Sequence, residues 1–140
     1  MALIRAFLDT SGFYALLVKE DKVHDYASKW MQEVAQQRPL LVTTDLVLSE
    51  TATLLKARGY RRALGGYFDF LSSTRALHIR WVEPTLFAQT KAFFLRHSDH
   101  GYSFADCASF VVMAQLGLTE ALTTDRHFRE AGLVPLLPLQ

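Results

Sequence analysis

Short apolar runs of strand length, alternating with segments of helical periodicity, constrain this chain more than any other feature. Such runs stand at Leu3–Leu8, Leu40–Thr43, Leu77–Val82 and Ala121–Thr124, and a fifth, Val134–Leu137, comes near the end. Between them the spacing predicts helices over Ser11–Val18, His24–Gln37, Asp45–Arg58, Tyr60–Ser73, Pro84–Arg96 and Phe104–Leu116, with a brief one after Asp125. Strands that are apolar throughout are buried on both faces, and helices between them supply the crossovers a parallel sheet needs. The expectation is an α/β fold: a three-layer α/β/α sandwich around a mainly parallel sheet.

Punctuation supports the boundaries. Asp9-Thr10-Ser11 and Thr44-Asp45 are helix-capping residues, Pro39 stops one helix, Gly59 ends another, and Pro84 opens a third. Gly65-Gly66 weakens the helix that contains it. His97–Ser103 is a polar loop. No repeat, linker or low-complexity segment divides the 140 residues, so residues 1–140 are expected to form one domain.

Half the residues are hydrophobic and 21% are charged, the balance of a globular protein. The opening residues lack the pattern of a signal peptide, and no apolar stretch is long enough to cross a bilayer. The single cysteine, Cys107, allows no internal disulfide, which is compatible with the expected cytoplasmic location. Net charge is only +1, so any contact with a nucleic acid must rest on local charge or on metal ions.

Four carboxylates stand out. Asp9 and Asp125 each follow a predicted strand, which in a parallel sheet puts both at the carboxyl edge where such sheets bind ligands. Each is also an ordinary cap. Asp106 lies in a helix that is apolar nearly all round, on a narrow stripe shared with Ser103 and Ser109. Glu50 lies between Leu46 and Leu54 on an apolar face. A buried carboxylate is expensive unless something positive answers it, and no lysine or arginine shares the Asp106 stripe. Converging carboxylates without His or Cys suit a hard divalent cation, Mg²⁺ or Mn²⁺. Such a site activates water and steadies the oxygens of a phosphodiester.

The segments Phe7-Leu8-Asp9-Thr10-Ser11-Gly12-Phe13, Leu48-Ser49-Glu50-Thr51, Tyr102-Ser103-Phe104-Ala105-Asp106-Cys107-Ala108-Ser109-Phe110 and Thr123-Thr124-Asp125-Arg126-His127-Phe128 occur in this order along the chain. Together they resemble the PIN-domain family, and within it the VapC-type toxins of toxin–antitoxin pairs. The resemblance implies a metal-dependent endoribonuclease, with Asp9 and Asp106 as the most direct ligands and Glu50 and Asp125 completing the pocket, partly through waters. It implies that Ser11 orients Asp9, that the chain pairs as a homodimer, and that a small antitoxin holds it. Ala105 stands where relatives commonly carry Thr. A non-toxin RNA-processing nuclease and a non-catalytic binding module of the same fold are the alternatives; retention of all four acids argues against the second.

Elsewhere, Lys56 to Arg62 is the densest basic cluster, and its Arg58, Arg61 and Arg62 are candidates for RNA phosphates, with a solvated helix boundary as the plainer reading. His97-Ser98-Asp99-His100 has no second half-site for zinc. Cys107 reads as inert packing, and neither it nor His127 is expected to matter for catalysis. Trp30, Phe68, Phe70, Leu71, Phe87, Phe93 and Phe94 are expected mostly in the core, some of them on a protein-binding face.

Overall fold

Five strands, β1 (Arg5–Leu8), β2 (Leu40–Thr44), β3 (Leu77–Arg80), β4 (Glu120–Leu122) and β5 (Val134–Pro135), form one sheet in the order β3-β2-β1-β4-β5. Every adjacent pair is parallel. The computed structural model describes residues 3–140. Seven helices connect the strands among these residues: α1 (Thr10–Leu17), α2 (His24–Ala35), α3 (Asp45–Ala57), α4 (Arg62–Ser73), α5 (Pro84–Arg96), α6 (Phe104–Leu116) and α7 (Arg126–Glu130).

Handedness assigns the layers. The steps β1 to β2 and β2 to β3 move one way along the sheet, whereas β3 to β4 and β4 to β5 move the other way. Right-handed crossovers therefore put α1–α4 on one face and α5–α7 on the opposite face. The packing agrees: α1 meets α2 and α3, α3 meets α4, and α6 meets α5 and α7. The chain thus leaves β1 and β4, which are neighbours, toward opposite faces. That opens a crevice at their carboxyl ends, the switch point of the sheet.

α6 is buried as its composition requires, with Cys107, Ala108, Val112 and Met113 fully enclosed. Burial pushes the Cys107 thiol up to about 11, so it stays protonated and inert. Gly12 lets α1 lie directly against β4; a Cβ there would sit 2.1 Å from the Leu122 carbonyl oxygen. Only glycine permits that approach.

Several boundaries differ from the sequence expectation, with local causes. β3 stops at Arg80 instead of Val82 because the Val82 amide donates to the Asp45 carboxylate at 2.8 Å, leaving no strand bond to make. β5 ends at Pro135, which has no N–H to extend a ladder. α4 begins at Arg62 instead of Tyr60, whose amide bonds back to the Leu55 carbonyl around the left-handed Gly59. β1 spans Arg5–Leu8, and Leu3 is exposed.

Of the seven large apolar residues expected mostly in the core, three pack against it and four do not. Phe68, Phe70, Phe87 and Phe94 are exposed, and Trp30, Leu71 and Phe93 are only partly buried. Three layers around a five-stranded sheet leave the outer helix faces open, and periodicity alone does not tell such a face from a buried one.

Candidate metal centre

Asp9 follows β1 and is 8% exposed, the deepest of the four acids. It occupies the N-cap position of α1 but makes no capping hydrogen bond. Its Oδ2 instead accepts from the Thr123 hydroxyl at 2.9 Å, and from the Ser11 hydroxyl at 3.5 Å. The Asp9 amide donates to the Leu122 carbonyl at 3.2 Å, which ties the two strand ends together. Burial is the main reason that the Asp9 carboxyl is pushed up to about 7. The Thr123 hydroxyl and Thr10 backbone counteract it, and the charges of Asp106 and Asp125 raise it further.

Asp106 does not stand in the middle of the core, as the all-apolar helix suggested. It sits in the first turn of α6, where the helix dipole favours a carboxylate. It forms a capping box with Ser103: the Ser103 amide donates to Asp106 Oδ2 at 3.0 Å, and the Asp106 amide donates to Ser103 Oγ at 3.0 Å. Ser109, expected on the same stripe, turns back into its own helix and donates to the Ala105 carbonyl at 3.0 Å. Burial and the negative charge of Asp125 still raise the Asp106 carboxyl, while the Ser103 bonds and His127 pull it down.

Glu50 corrects the expectation more strongly. It is exposed, at the lip of the cleft, rather than covered by Leu46 and Leu54. Its carboxylate end is partly withdrawn from water and faces Asp106, so its pKa is also raised, chiefly by burial and then by that charge. The Thr10 hydroxyl lies 3.5 Å from Glu50 Oε2. Asp125 caps α7 as the sequence indicated, its Oδ1 accepting from the His127 amide at 2.9 Å.

All four acids line one cleft of about 540 Å³ at the switch point. Its other walls carry Glu20 and Asp21, and among the described residues lining it only Lys22 and Arg58 are cationic. The basic cluster divides accordingly. Arg58 lies in the cleft with its guanidinium 5.0 Å over the Tyr14 ring, whereas Arg61 and Arg62 are exposed and lie outside the cleft lining.

Sequence reasoning missed two groups, Thr123 and His127, and understated a third, Ser11. Thr123 holds Asp9, and its Oγ1 also accepts from the Asp125 amide at 3.0 Å. Ser11 does more than touch Asp9: its Oγ lies 3.1 Å from Thr123 Oγ1 and accepts from the Thr124 amide at 2.9 Å. His127 brings Nδ1 to 3.4 Å from Asp106 Oδ2 and 3.3 Å from Asp125 Oδ1. The motif Thr-Thr-Asp-Arg-His displayed Thr123 and His127, but only the fold shows which way they turn.

An excess of carboxylates, one of them nearly sealed from water and protonated more readily than usual, fits a divalent cation. The chain is thus an open parallel α/β fold with an acidic pocket at its switch point. The profile of the PIN domain matches residues 6–133, and the chain belongs to the PIN domain family. A curated relative, the 23S rRNA-specific endonuclease VapC20 of Mycobacterium tuberculosis, is 35% identical over 134 residues, 94% of this chain and 98% of that protein. The crystal structure of M. tuberculosis VapC20, described as a sarcin–ricin loop cleaving toxin, superposes with a TM-score of 0.82 at 32% identity, covering 95% of this chain and 99% of that one. FitAcB of Neisseria gonorrhoeae has a TM-score of 0.62 at 14% identity, over 93% of this chain and 95% of its own, and shares the fold.

Proposed function

We propose that the chain is a metal-dependent endoribonuclease, the toxin of a toxin–antitoxin pair, formed by residues 1–140 as one domain. The observation that carries this is the convergence of Asp9, Glu50, Asp106 and Asp125 on one cleft, in a chain one-third identical to an rRNA endonuclease along nearly its whole length.

Asp9 and Asp106 would hold Mg²⁺ or Mn²⁺ most directly, with Glu50 and Asp125 completing the shell. Such an ion, when bound, lowers the pKa of water and offsets the charge that develops on a phosphodiester. The chain's own residues prepare the site. Thr123 and Ser11 fix the Asp9 carboxylate, the Ser103 capping box fixes Asp106, and the α7 cap fixes Asp125. Arg58, which lines the cleft, would meet an RNA phosphate. Arg61 and Arg62 would meet only RNA that extends beyond the cleft.

The exposed Phe68, Trp81, Phe87 and Leu95 supply apolar surface of the kind that a homodimer or a small antitoxin covers. Among the described residues no helix is long and apolar enough to cross a membrane. The toxin would act in the cytoplasm, where its RNA substrate is.

The test is cleavage of a mixed RNA pool with and without chelator, beside Asp106→Asn. Attack by water leaves a 5′-phosphate and a 3′-hydroxyl; attack by the neighbouring 2′-hydroxyl would leave a 2′,3′-cyclic phosphate. Cleavage that persists in excess chelator, or in nuclease-free Asp106→Asn, refutes the reading.

A further inference from the structure

The four acids do not account for everything near the proposed ion. Asp106, Asp125 and His127 each bring one ligand-capable atom into a group whose members all lie within 4.8 Å of one another. His127 Nδ1 points between the two carboxylates, 3.4 Å from Oδ2 of Asp106 and 3.3 Å from Oδ1 of Asp125. Two donors that bind one ion at right angles, each about 2.1 Å from it, lie about 3 Å apart. Nδ1 therefore stands from each oxygen at nearly the spacing of neighbouring ligands, and the two carboxylates offer oxygens within 4.8 Å of each other.

The ring is held in that direction. α7 starts on the Asp125 cap, so His127 lies in its first turn with a fixed backbone. Tyr102 meets the ring edge-on at a centroid distance of 5.6 Å. On the far side a Cβ at position 101 would stand 3.2 Å from Nε2, so Gly101 leaves the room that the imidazole uses. Each carboxylate oxygen near Nδ1 accepts one backbone amide, from Ser103 and from His127. A carboxylate oxygen keeps a further lone pair after one such bond.

We propose that His127 supplies, through Nδ1, a nitrogen ligand to a divalent ion shared with Asp106 and Asp125, and that it tilts the site from Mg²⁺ toward Mn²⁺. The inference rests on the reading that these acids bind a divalent ion. Its chemistry is that of donor type: Mg²⁺ favours oxygen and gives up water reluctantly, whereas a neutral imidazole is a better partner for transition-metal ions. The bound form carries its proton on Nε2, and no covalent or redox step is involved.

The experiment is electron spin-echo spectroscopy of the Mn²⁺-loaded protein, with Mn²⁺ and Mg²⁺ affinities measured by titration. Wild type should show the modulation of a directly bound ¹⁴N, and ¹⁵N-histidine labelling should change it. His127→Gln should lose the modulation and bind Mn²⁺ about tenfold more weakly, with Mg²⁺ affinity nearly unchanged. If the variant does not fold, the labelled wild type decides alone. Mn²⁺ that binds without nitrogen modulation overturns the ligand role and leaves the metal site standing. Wild type that leaves the free Mn²⁺ signal undiminished at millimolar ion overturns the metal reading itself.

Discussion

The hydroxyl of Thr123, just beyond β4, donates to the carboxylate of Asp9, just beyond β1, at 2.9 Å, across 114 residues of sequence. The same oxygen accepts the Asp125 amide and lies 3.1 Å from Ser11 Oγ, so one side chain joins the ends of two strands. A hydrogen bond to a charged group is worth about 1.5–3 kcal/mol, and a buried acceptor left alone costs about as much.

Thr123→Val keeps the shape and removes the oxygen. It should raise the Asp9 carboxyl above about 7, since the Thr123 bond is what most opposes burial there. At pH 8, chelated protein should lose about 1–3 kcal/mol in urea denaturation and bind divalent ions more weakly. Thr123→Ser should restore most of both. A Val variant indistinguishable from wild type would show that the bond does not hold Asp9.

Stability of the metal-free protein should fall as pH rises. Folding lifts the Asp9 carboxyl from about 3.8 to about 7, so the native state holds this proton more tightly than the unfolded chain does. Below the unfolded value both states are protonated and nothing is lost. Between the two values the unfolded chain releases its proton first, at about 1.4 kcal/mol per pH unit. Above about 7 the loss is complete, on the order of 4 kcal/mol. Asp106 and Glu50, also raised, act in the same direction. Denaturation of wild type and Asp9→Asn from pH 4 to 8 in chelator should show a falling curve for the first and a flatter one for the second.

Asp106→Asn should separate stability from activity. The amide oxygen still accepts the Ser103 amide, so the capping box survives, while the repulsion with Asp9 and Asp125 is relieved. The expected result is an apo melting temperature several degrees higher, a much smaller rise on adding Mg²⁺ or Mn²⁺, and cleavage lower by orders of magnitude. A wild-type melting temperature unmoved by saturating metal would count against the site.

Gly12→Ala should be among the most damaging small substitutions. The new Cβ would lie 2.1 Å from a backbone oxygen of β4, which cannot rotate away as a side chain can. Displacing α1 would also separate Ser11 from Thr124. A cost above about 3 kcal/mol is expected, read from urea midpoints. Gly65→Ala, with open space around the site and a helical backbone, should instead stabilise by about 0.5–1 kcal/mol.

Local sequence specifies the succession of strands and helices along the chain, the parallel sheet, and the placement of Asp9 and Asp125 at one edge. Those follow from local periodicity and caps, which act over a few residues and can be read there. It also marks out the four acids, although the apolar neighbours of Glu50 and Asp106 along the chain overstate how enclosed those two are. Tertiary packing is what makes Asp9 the enclosed carboxylate, stands Glu50 at the lip, and brings Arg58 into the cleft lining but not Arg61 or Arg62. The Thr123–Asp9 bond and the approach of His127 to Asp106 were likewise not legible. Burial, pKa and ligand geometry depend on which distant segments meet and at what angle. A helical or strand period fixes a residue's direction on its own element but carries no information about the element it faces.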